Sequence, residues 1–451
     1  MVADRTPQAS RADAAADALY RRLRWRLLPL LFGGYLLCYM DRTIVGVASL
    51  EMNASIGLSA AAYGAGAGLF FLTYLLFEPP SNMILARVGA RIWLTRIMVT
   101  WGLVTAGTAF IQGETSFYIM RLLLGAAEAG YFPGVIFYIA LWFPPHLRAK
   151  PIAMMVLGLP IGVMIGSPLG GWILGWGGSL EGWQWLFLAV GGITVCYGLV
   201  MYRLLPSDPH QAPWLSDDER QIVEANASFD HSPHAFRQQL AGFRRFARTP
   251  VLWVLTLIYF LMNVIAYGAT FFLPLIVKQF SGLTNLETTL VISAAWLISI
   301  AVVVVVAASS ERTNAPWLHF ALVLLVSAAG YAALVTSSAT ISLFIIAAAA
   351  VVSLGSAYAG PFWSIVTPLL GRPNQVAGAL ALVNGLAATG GYFGPQMLGY
   401  FIDRSGGNWQ QAPPVAAAAL GGCAVVVLTL GLLRYRRETA PAANPTPSLR
   451  S

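Results

Sequence analysis

Apolar stretches of membrane-spanning length recur from residue 27 to residue 434, separated by short polar turns and interrupted once by a long polar interval. A helix needs about 20 apolar residues to cross the hydrocarbon of a bilayer. Runs of that order lie at 27–49, 60–86, 91–112, 116–142, 151–174, 184–205, 250–278, 286–308, 317–337, 341–368, 375–401 and 413–434. The pattern predicts twelve membrane helices. Gly and Pro break the runs around 60–112 and 341–401, so span edges are expected to move there. The polar interval divides six spans from six, giving an all-α membrane protein with a tail (1–26), a six-helix bundle (27–205), a linker (206–249), a second six-helix bundle (250–434) and a second tail (435–451). Within the linker Ser216 and Glu219 stand at capping-box spacing, which predicts a short surface helix.

The two halves share their punctuation. "GYFPGVIFYIALWF" carries Pro133, and Pro168 follows in "GSPLGGWIL"; "AYAGPFWSIVTPLL" carries Pro361, and Pro395 follows in "FGPQMLGYFI". The offsets between halves are 228 and 227 residues. A repeated pair of Gly/Pro-marked helices in two six-span halves is the pattern of a transporter that rocks about a site at mid-membrane. Glycines at 158, 162, 166 and 170, and at 390, 394 and 399, recur near helical spacing and allow close helix approach.

Composition agrees with the pattern. Of the residues 57% are hydrophobic and 10% charged, whereas a soluble domain carries about a quarter charged. The net charge of +8 would suggest a nucleic acid or other polyanion in a soluble chain; here the placement of the basic residues carries the information. With the amino terminus in the cytoplasm, only Lys278 and Arg404 of the 27 Lys and Arg fall in outside loops, Arg42 and Arg121 fall within spans, and the other 23 lie on the cytoplasmic side. Both termini are therefore expected in the cytoplasm of a multi-pass inner-membrane protein. The start "MVADRTPQASRADAAADALYRRLRWRLLPLL" has no cleavage site behind a short apolar core and reads as a cytoplasmic tail. Cys38, Cys196 and Cys423 lie in three separate spans and suggest neither a disulfide nor a metal site.

Four ionisable residues break the apolar rule. Asp41 and Arg42 sit in "YMDRTIVG" in the middle of the first span, and Arg121 and Glu128 in "RLLLGAAEAGYFPG" in the fourth. A charge at that depth costs about 2.5 to 3.5 kcal/mol or more, so such residues are functional candidates. Arg121 and Glu128 are two helical turns apart and share a face, which suggests that they pair. In the other half the positions of Arg121 and Glu128 fall on Ala349 and Ser356: the scaffold is symmetric and the charge is not. A guanidinium in a low-dielectric cavity suits a carboxylate ligand, and the neighbouring carboxylates suit protons. The expected mechanism gives Arg42 the anion and Asp41 and Glu128 the protons, with the Glu128–Arg121 contact breaking when Glu128 is protonated. In the second half Asn263, Tyr267, Trp363, Ser364 and Asn384, with Tyr74 from the first, are candidates for hydroxyl or ring contacts. The histidines at 146, 210, 231, 234 and 319 form no metal-spaced cluster, so no metal and no cofactor beyond protons is expected, and an enzyme is the weakest reading. An anion exchanger or uniporter of the same fold, or a sensor that binds without transporting, are the alternatives.

The segments "YMDR", "EPPSNMILARVGAR", "RLLLGAAEAGYFPGV", "LPSDPHQAPWLSDDER", "YGATFFLPLIVK", "GPFWSI" and "ALVNGLAATGGYFGP" resemble the anion:cation symporter family of the major facilitator superfamily, which includes tartrate, phthalate, hydroxyphenylacetate and galactonate permeases. The resemblance implies the major facilitator fold and proton-driven import of an organic anion by a protein working as a monomer in the bilayer. It also implies Arg42 as the substrate arginine, Asp41 and Glu128 as protonation sites, Arg121 as the partner of Glu128, and Tyr74 and Asn384 near the substrate. Gating contacts would involve Arg87 and Arg91 after the second span and Glu311 and Arg312 in the matching loop "SSERTNAPW". This chain departs from the superfamily pattern in having Ala86 before Arg87, where an acidic residue is common.

Overall fold

A computed structural model describes residues 7–226, 244–336, 360–370, 373–408 and 411–439. Ala349, Ser356, Arg237, His231 and His234, most of the expected tenth span and the end of the second tail lie outside these residues. The first half consists of α1 (Pro7–Ser55), α2 (Ala60–Val88), α3 (Ala90–Gly107), α4 (Glu114–Glu128), α5 (Tyr131–Trp142), α6 (Ala149–Val156), α7 (Gly158–Leu174) and α8 (Gly182–Leu204). The linker carries α9 (Asp217–Asn226). The second half consists of α10 (Pro250–Ser281), α11 (Asn285–Thr313), α12 (Pro316–Thr336), α13 (Pro361–Leu370), α14 (Pro373–Ala388), α15 (Gly390–Arg404) and α16 (Ala412–Thr439). Nine segments among the described residues are long and apolar enough to cross a membrane.

Where the structure subdivides an expected span, a backbone break explains it. The span 116–142 becomes α4 and α5 because Gly130 adopts φ +90°, a conformation that favours glycine, and a Cβ there would come within 2.3 Å of Ser81 Oγ. Helix α1 starts some twenty residues before the expected edge of its span. Its early turns are amphipathic, with Leu19, Tyr20, Leu23 and Leu27 buried, and they dock on the linker. Arg22 Nη2 donates to Glu219 Oε1 at 2.5 Å, and the Arg26 guanidinium lies 4.9 Å from the Trp214 ring centre. The predicted capping box forms, with Glu219 N donating to Ser216 Oγ and Ser216 N donating to Glu219 Oε2. That backbone amide first, and Arg22 after it, hold the Glu219 carboxyl below its ordinary range. This end of the molecule is termed the linker side and the opposite end the far side.

Buried side chains gather in two large cores and a small cluster of Leu273, Val277 and Ile292. One runs from Leu19 to Val223 and takes in Phe271 and Phe272; the other runs from Phe246 to Val427. The two halves meet through α2 against α15, α7 against α11 and α1 against α10. Because the internal repeat matches α7 with α15, the first two of these seams are the same contact made twice, once from each half. The bonds that join the halves lie toward the far side: Tyr63 donates to the Phe271 carbonyl at 3.1 Å, Ser293 to the Met164 carbonyl at 2.6 Å, and Asn285 Nδ2 to Glu51 Oε1 at 2.6 Å. Lys278 in turn donates to Asn285 Oδ1.

A close helix approach inside the first bundle tests this packing. A Cβ on Gly125 of α4 would lie 2.2 Å from the Phe70 carbonyl oxygen and 2.3 Å from Thr73 Oγ1 of α2, so the helices must separate to accept it. Overpacking of this kind costs about 1 to 3 kcal/mol. Gly125→Ala should lower the thermal unfolding midpoint of purified protein by several degrees, read by intrinsic fluorescence. Gly192→Ala, where a Cβ meets nothing within 4 Å, should leave it level or raise it; equal effects of the two changes would rule out the close approach.

Candidate functional site

Successive residues of a helix point about 100° apart, and this separates the adjacent pair on α1. Asp41 turns toward α3, where Thr105 Oγ1 donates to its Oδ1 at 2.6 Å. Arg42 turns toward the end of α4, where its Nε and Nη2 donate to Glu128 Oε1 at 2.8 and 2.5 Å. Cys38, one turn before Arg42, donates Sγ–H to the same oxygen at 3.0 Å. Glu128 is fully buried, while the Arg42 side chain keeps 16% of its surface accessible. Three rings surround the guanidinium, with centres at 5.2 Å for Tyr39, 5.1 Å for Phe70 and 5.0 Å for Tyr74. Such faces stabilise a desolvated cation.

Arg121 does not hold the position expected of it. Its Nη2 donates to the Ala67 carbonyl at 3.2 Å and its guanidinium lies 5.1 Å from the Phe70 ring centre, while Glu128 is paired with Arg42 instead. The reason is axial distance: two helical turns separate Arg121 from Glu128 by about 11 Å along α4, whereas α1 passes beside the end of that helix. The buried Arg121 Nε and Nη1, Asp41 Oδ2 and Glu128 Oε2 have no hydrogen-bond partner among the described residues. Native interiors rarely leave such atoms unsatisfied, and clusters of them mark sites where water, ions or protons act. The four groups thus form one connected site, with opposite charges held on α1 and α4 and a reserve of unfilled donors and acceptors.

The second half supplies a different surface. Tyr267 on α10 places its ring 4.4 Å from Phe71 of α2. Asn384 on α14 is exposed, and Tyr259 OH donates to its Oδ1 at 3.4 Å. Ser364 is exposed and Trp363 half-buried on α13, the Trp363 ring standing edge-on to Tyr259 at 5.9 Å. Asn263 is different: it is buried, its Nδ2 donates to the Tyr259 carbonyl at 2.9 Å, and its Cβ packs where a Cβ on Gly390 would come within 2.8 Å. It therefore lies in the α10–α15 seam and not on an open wall. Of the gating candidates, Arg87, Glu311 and Arg312 are exposed. Arg91 donates Nε to the Tyr202 carbonyl at 2.5 Å and stacks on that ring at 4.6 Å, a contact within the first half.

Residue patterns alone do not single out Thr105, Cys38, Tyr39 or Phe70. Each is an ordinary occupant of an apolar span, and only the packing of α1 against α2, α3 and α4 gives it a polar or cationic neighbour.

Comparison with known proteins places this geometry. A family model described as Major Facilitator Superfamily matches residues 31–367. The chain is 36% identical over 394 residues to a putative tartrate transporter of Agrobacterium vitis, covering 86% of this chain and 85% of that one. It is 35% identical over 438 residues to the putative metabolite transport protein NicT of Pseudomonas putida, covering 94% and 98%, and 38% identical over 395 residues to a quinolone resistance transporter of Acinetobacter baumannii, covering 86% and 89%. Among solved structures, a bacterial homologue of the human lysosomal transporter Spinster, in an inward-facing and unoccupied conformation, superposes with a TM-score of 0.72 at 19% identity, over 91% of this chain and 96% of that one. A D-xylose–proton symporter superposes with a TM-score of 0.70 at 14% identity, over 89% and 97%. The matched family model and fold, and relatives whose names accord with its anion:cation symporter branch, identify this chain as a membrane transporter, not an enzyme, and a member of the Major Facilitator Superfamily.

Proposed function

We propose that the protein is a proton-coupled symporter that imports a small organic carboxylate, a dicarboxylate, sugar acid or aromatic acid, by alternating access as a monomer in the bacterial inner membrane. The linker side is the cytoplasmic side, with both termini on it, and the conformation described here is open inward. The observation that carries the reading is the Arg42–Glu128 pair, in which two donors of one guanidinium converge on one carboxylate oxygen at 2.8 and 2.5 Å.

A carboxylate substrate and the Glu128 carboxylate compete for the same cation. When an anion takes Arg42, a buried Glu128 would be left as an uncompensated charge, a costly state, and it relieves that cost by taking up a proton. Anion and proton therefore enter the site together. On release to the cytoplasm the order reverses: loss of the anion frees Arg42, and Glu128 gives up its proton to re-form the pair. This replaces the expected exchange between Glu128 and Arg121. Arg121 acts instead as a fixed positive charge beside Asp41, and Asp41, braced by Thr105 at 2.6 Å, is a second protonation site. With the inside negative, importing a monoanion costs about 2.3 kcal/mol per 100 mV, which one accompanying proton cancels. A second proton on Asp41 would let the voltage drive uptake as well. Tyr74, Tyr267, Trp363, Ser364 and Asn384 line the remaining space and select the body of the acid. The exposed Arg87, Glu311 and Arg312 meet across the linker side when it closes, and Arg91 joins them only by leaving Tyr202.

Two measurements test this. In a thermal-shift screen of organic acids, including tartrate, Arg42→Ala should abolish every stabilisation given to the parent protein; a hit that survives the substitution would refute its role. In weakly buffered solution, binding of a hit should draw about one proton from the medium per anion, and affinity should rise as pH falls because binding and proton uptake are linked. Glu128→Gln should bind without proton uptake and exchange substrate in counterflow while failing to accumulate it down a pH gradient. Accumulation by that variant would exclude Glu128 from coupling, and a parent that needs substrate on both sides would be an exchanger.

A further inference from the structure

The first turn of α2 is completed by the other half of the protein. A helix starts with four backbone N–H groups that have no partner within it unless a cap supplies one. In α2 the Ala62 amide donates to the Ser59 hydroxyl oxygen at 3.1 Å, and the Tyr63 amide donates to the Ser59 carbonyl at 2.9 Å. The remaining two cross between the halves: Ala60 N donates to Asp403 Oδ1 at 3.0 Å and Ala61 N to Asp403 Oδ2 at 2.8 Å. Asp403 lies near the end of α15, at the far side. Its carboxylate thus meets both the open amides and the positive end of the α2 dipole, an arrangement that favours an anion.

The seam below this cap is built to come apart as a unit. A Cβ on Gly64 would fall 2.2 Å from the Pro395 carbonyl oxygen, on Gly68 2.5 Å from that of Tyr392, and on Gly399 2.2 Å from that of Ala60. Backbones touch at these glycines, so below the cap α2 and α15 meet through van der Waals contact. We infer that Asp403 is the latch of the far-side gate: it caps α2 only when the halves are closed on that side, and so biases the transporter toward the inward-open state. This rests on the rocking motion proposed above, but not on the identity of the substrate or on proton coupling.

One of the two donors can be removed as well as the acceptor. Ala60 is the first residue of α2, where proline is tolerated and its missing N–H costs the helix nothing. Ser59, at φ −69° and ψ 164°, already has the extended backbone that a residue before proline requires. Hydrogen–deuterium exchange on the full-length protein in nanodiscs would compare the parent, Asp403→Asn, Ala60→Pro and the double variant. Losing an exposed helix-end anion changes an equilibrium by about two- to fivefold. Each single variant should therefore speed exchange of the far-side segments 59–66 and 396–408 about two- to fivefold. The linker-side segments 143–150 and 309–316 should slow at the same time, and the double variant should fall short of the two single effects combined, because Ala60→Pro leaves the Ala61 amide on Asp403. Faster exchange confined to 59–66, no change, or additive effects would each overturn the latch.

Gly399→Leu, which must pry the seam open, separates the two layers of the inference. If it opens the far side without slowing the linker side, the halves do not rock, and the latch falls with that motion. If it produces the reciprocal change while the Asp403 and Ala60 variants behave like the parent, the motion stands and Asp403 is only a surface carboxylate.

Discussion

One buried ion pair organises this molecule. Arg42 and Glu128 come from different helices, α1 and α4, and neither can be left alone at mid-membrane without a cost of several kcal/mol. The pair therefore fixes how α1 lies against the end of α4, and that placement sends Asp41 to Thr105 on α3 and leaves Arg121 to the carbonyl of Ala67 on α2. Four helices of the first half are held by charge in this way. Yet the pair is unlike a purely structural bridge. Arg42 offers donors to one oxygen of Glu128 while the other oxygen has no partner among the described residues, and part of the guanidinium stays accessible. A bridge designed only for rigidity would satisfy both oxygens and exclude solvent.

The second half has no counterpart of that cluster among its described residues. Its core is aromatic and aliphatic, with Phe320, Phe362 and Tyr259 packed around α10, α12 and α13. In the proposed mechanism it contributes shape and hydrogen bonding from Tyr267, Trp363, Ser364 and Asn384. Division of labour follows from the chemistry. Charge-coupled events need groups held at fixed, short distances, which one rigid bundle provides, whereas selection of the organic body of an acid needs a wall that approaches and recedes. In the proposed mechanism, two halves that meet on glycine seams supply both without either half having to deform.

Much of this was legible in the residues because the bilayer is an unforgiving solvent. Hydrocarbon admits only helices of a certain length, so the all-helical membrane class and the four misplaced charges could be read from residue type alone. The capping box at Ser216 and Glu219 was readable for the same local reason. Partner choice was not. Periodicity places Arg121 and Glu128 on one face, but which cation reaches Glu128 depends on the crossing of α1 and α4, and Gly130 ends α4 so that Glu128 sits at its edge. Asn263 looked like a polar group facing a cavity; its helix face is set by the Gly390 contact, a tertiary fact. Thr105 and Asp403 carried no signal, since one is a small residue in an apolar run and the other an acid beside a loop.

The same logic links the centre to the far end. At the centre, a charge on one helix is compensated by a group that, in the proposed mechanism, a ligand replaces; at the far side, the dipole of α2 is compensated by Asp403, which the proposed rocking withdraws. Neither contact is buried on both partners: Arg42 keeps accessible surface, and Asp403 is exposed. That is the condition for a reversible contact, because water can take the place of the departing partner and keep the barrier low. A fully buried pair at either position would lock the protein in one state. An alternating-access machine needs contacts strong enough to define each end state and weak enough to be exchanged, and in this chain the accessible arginine and the exposed aspartate meet that requirement in different ways.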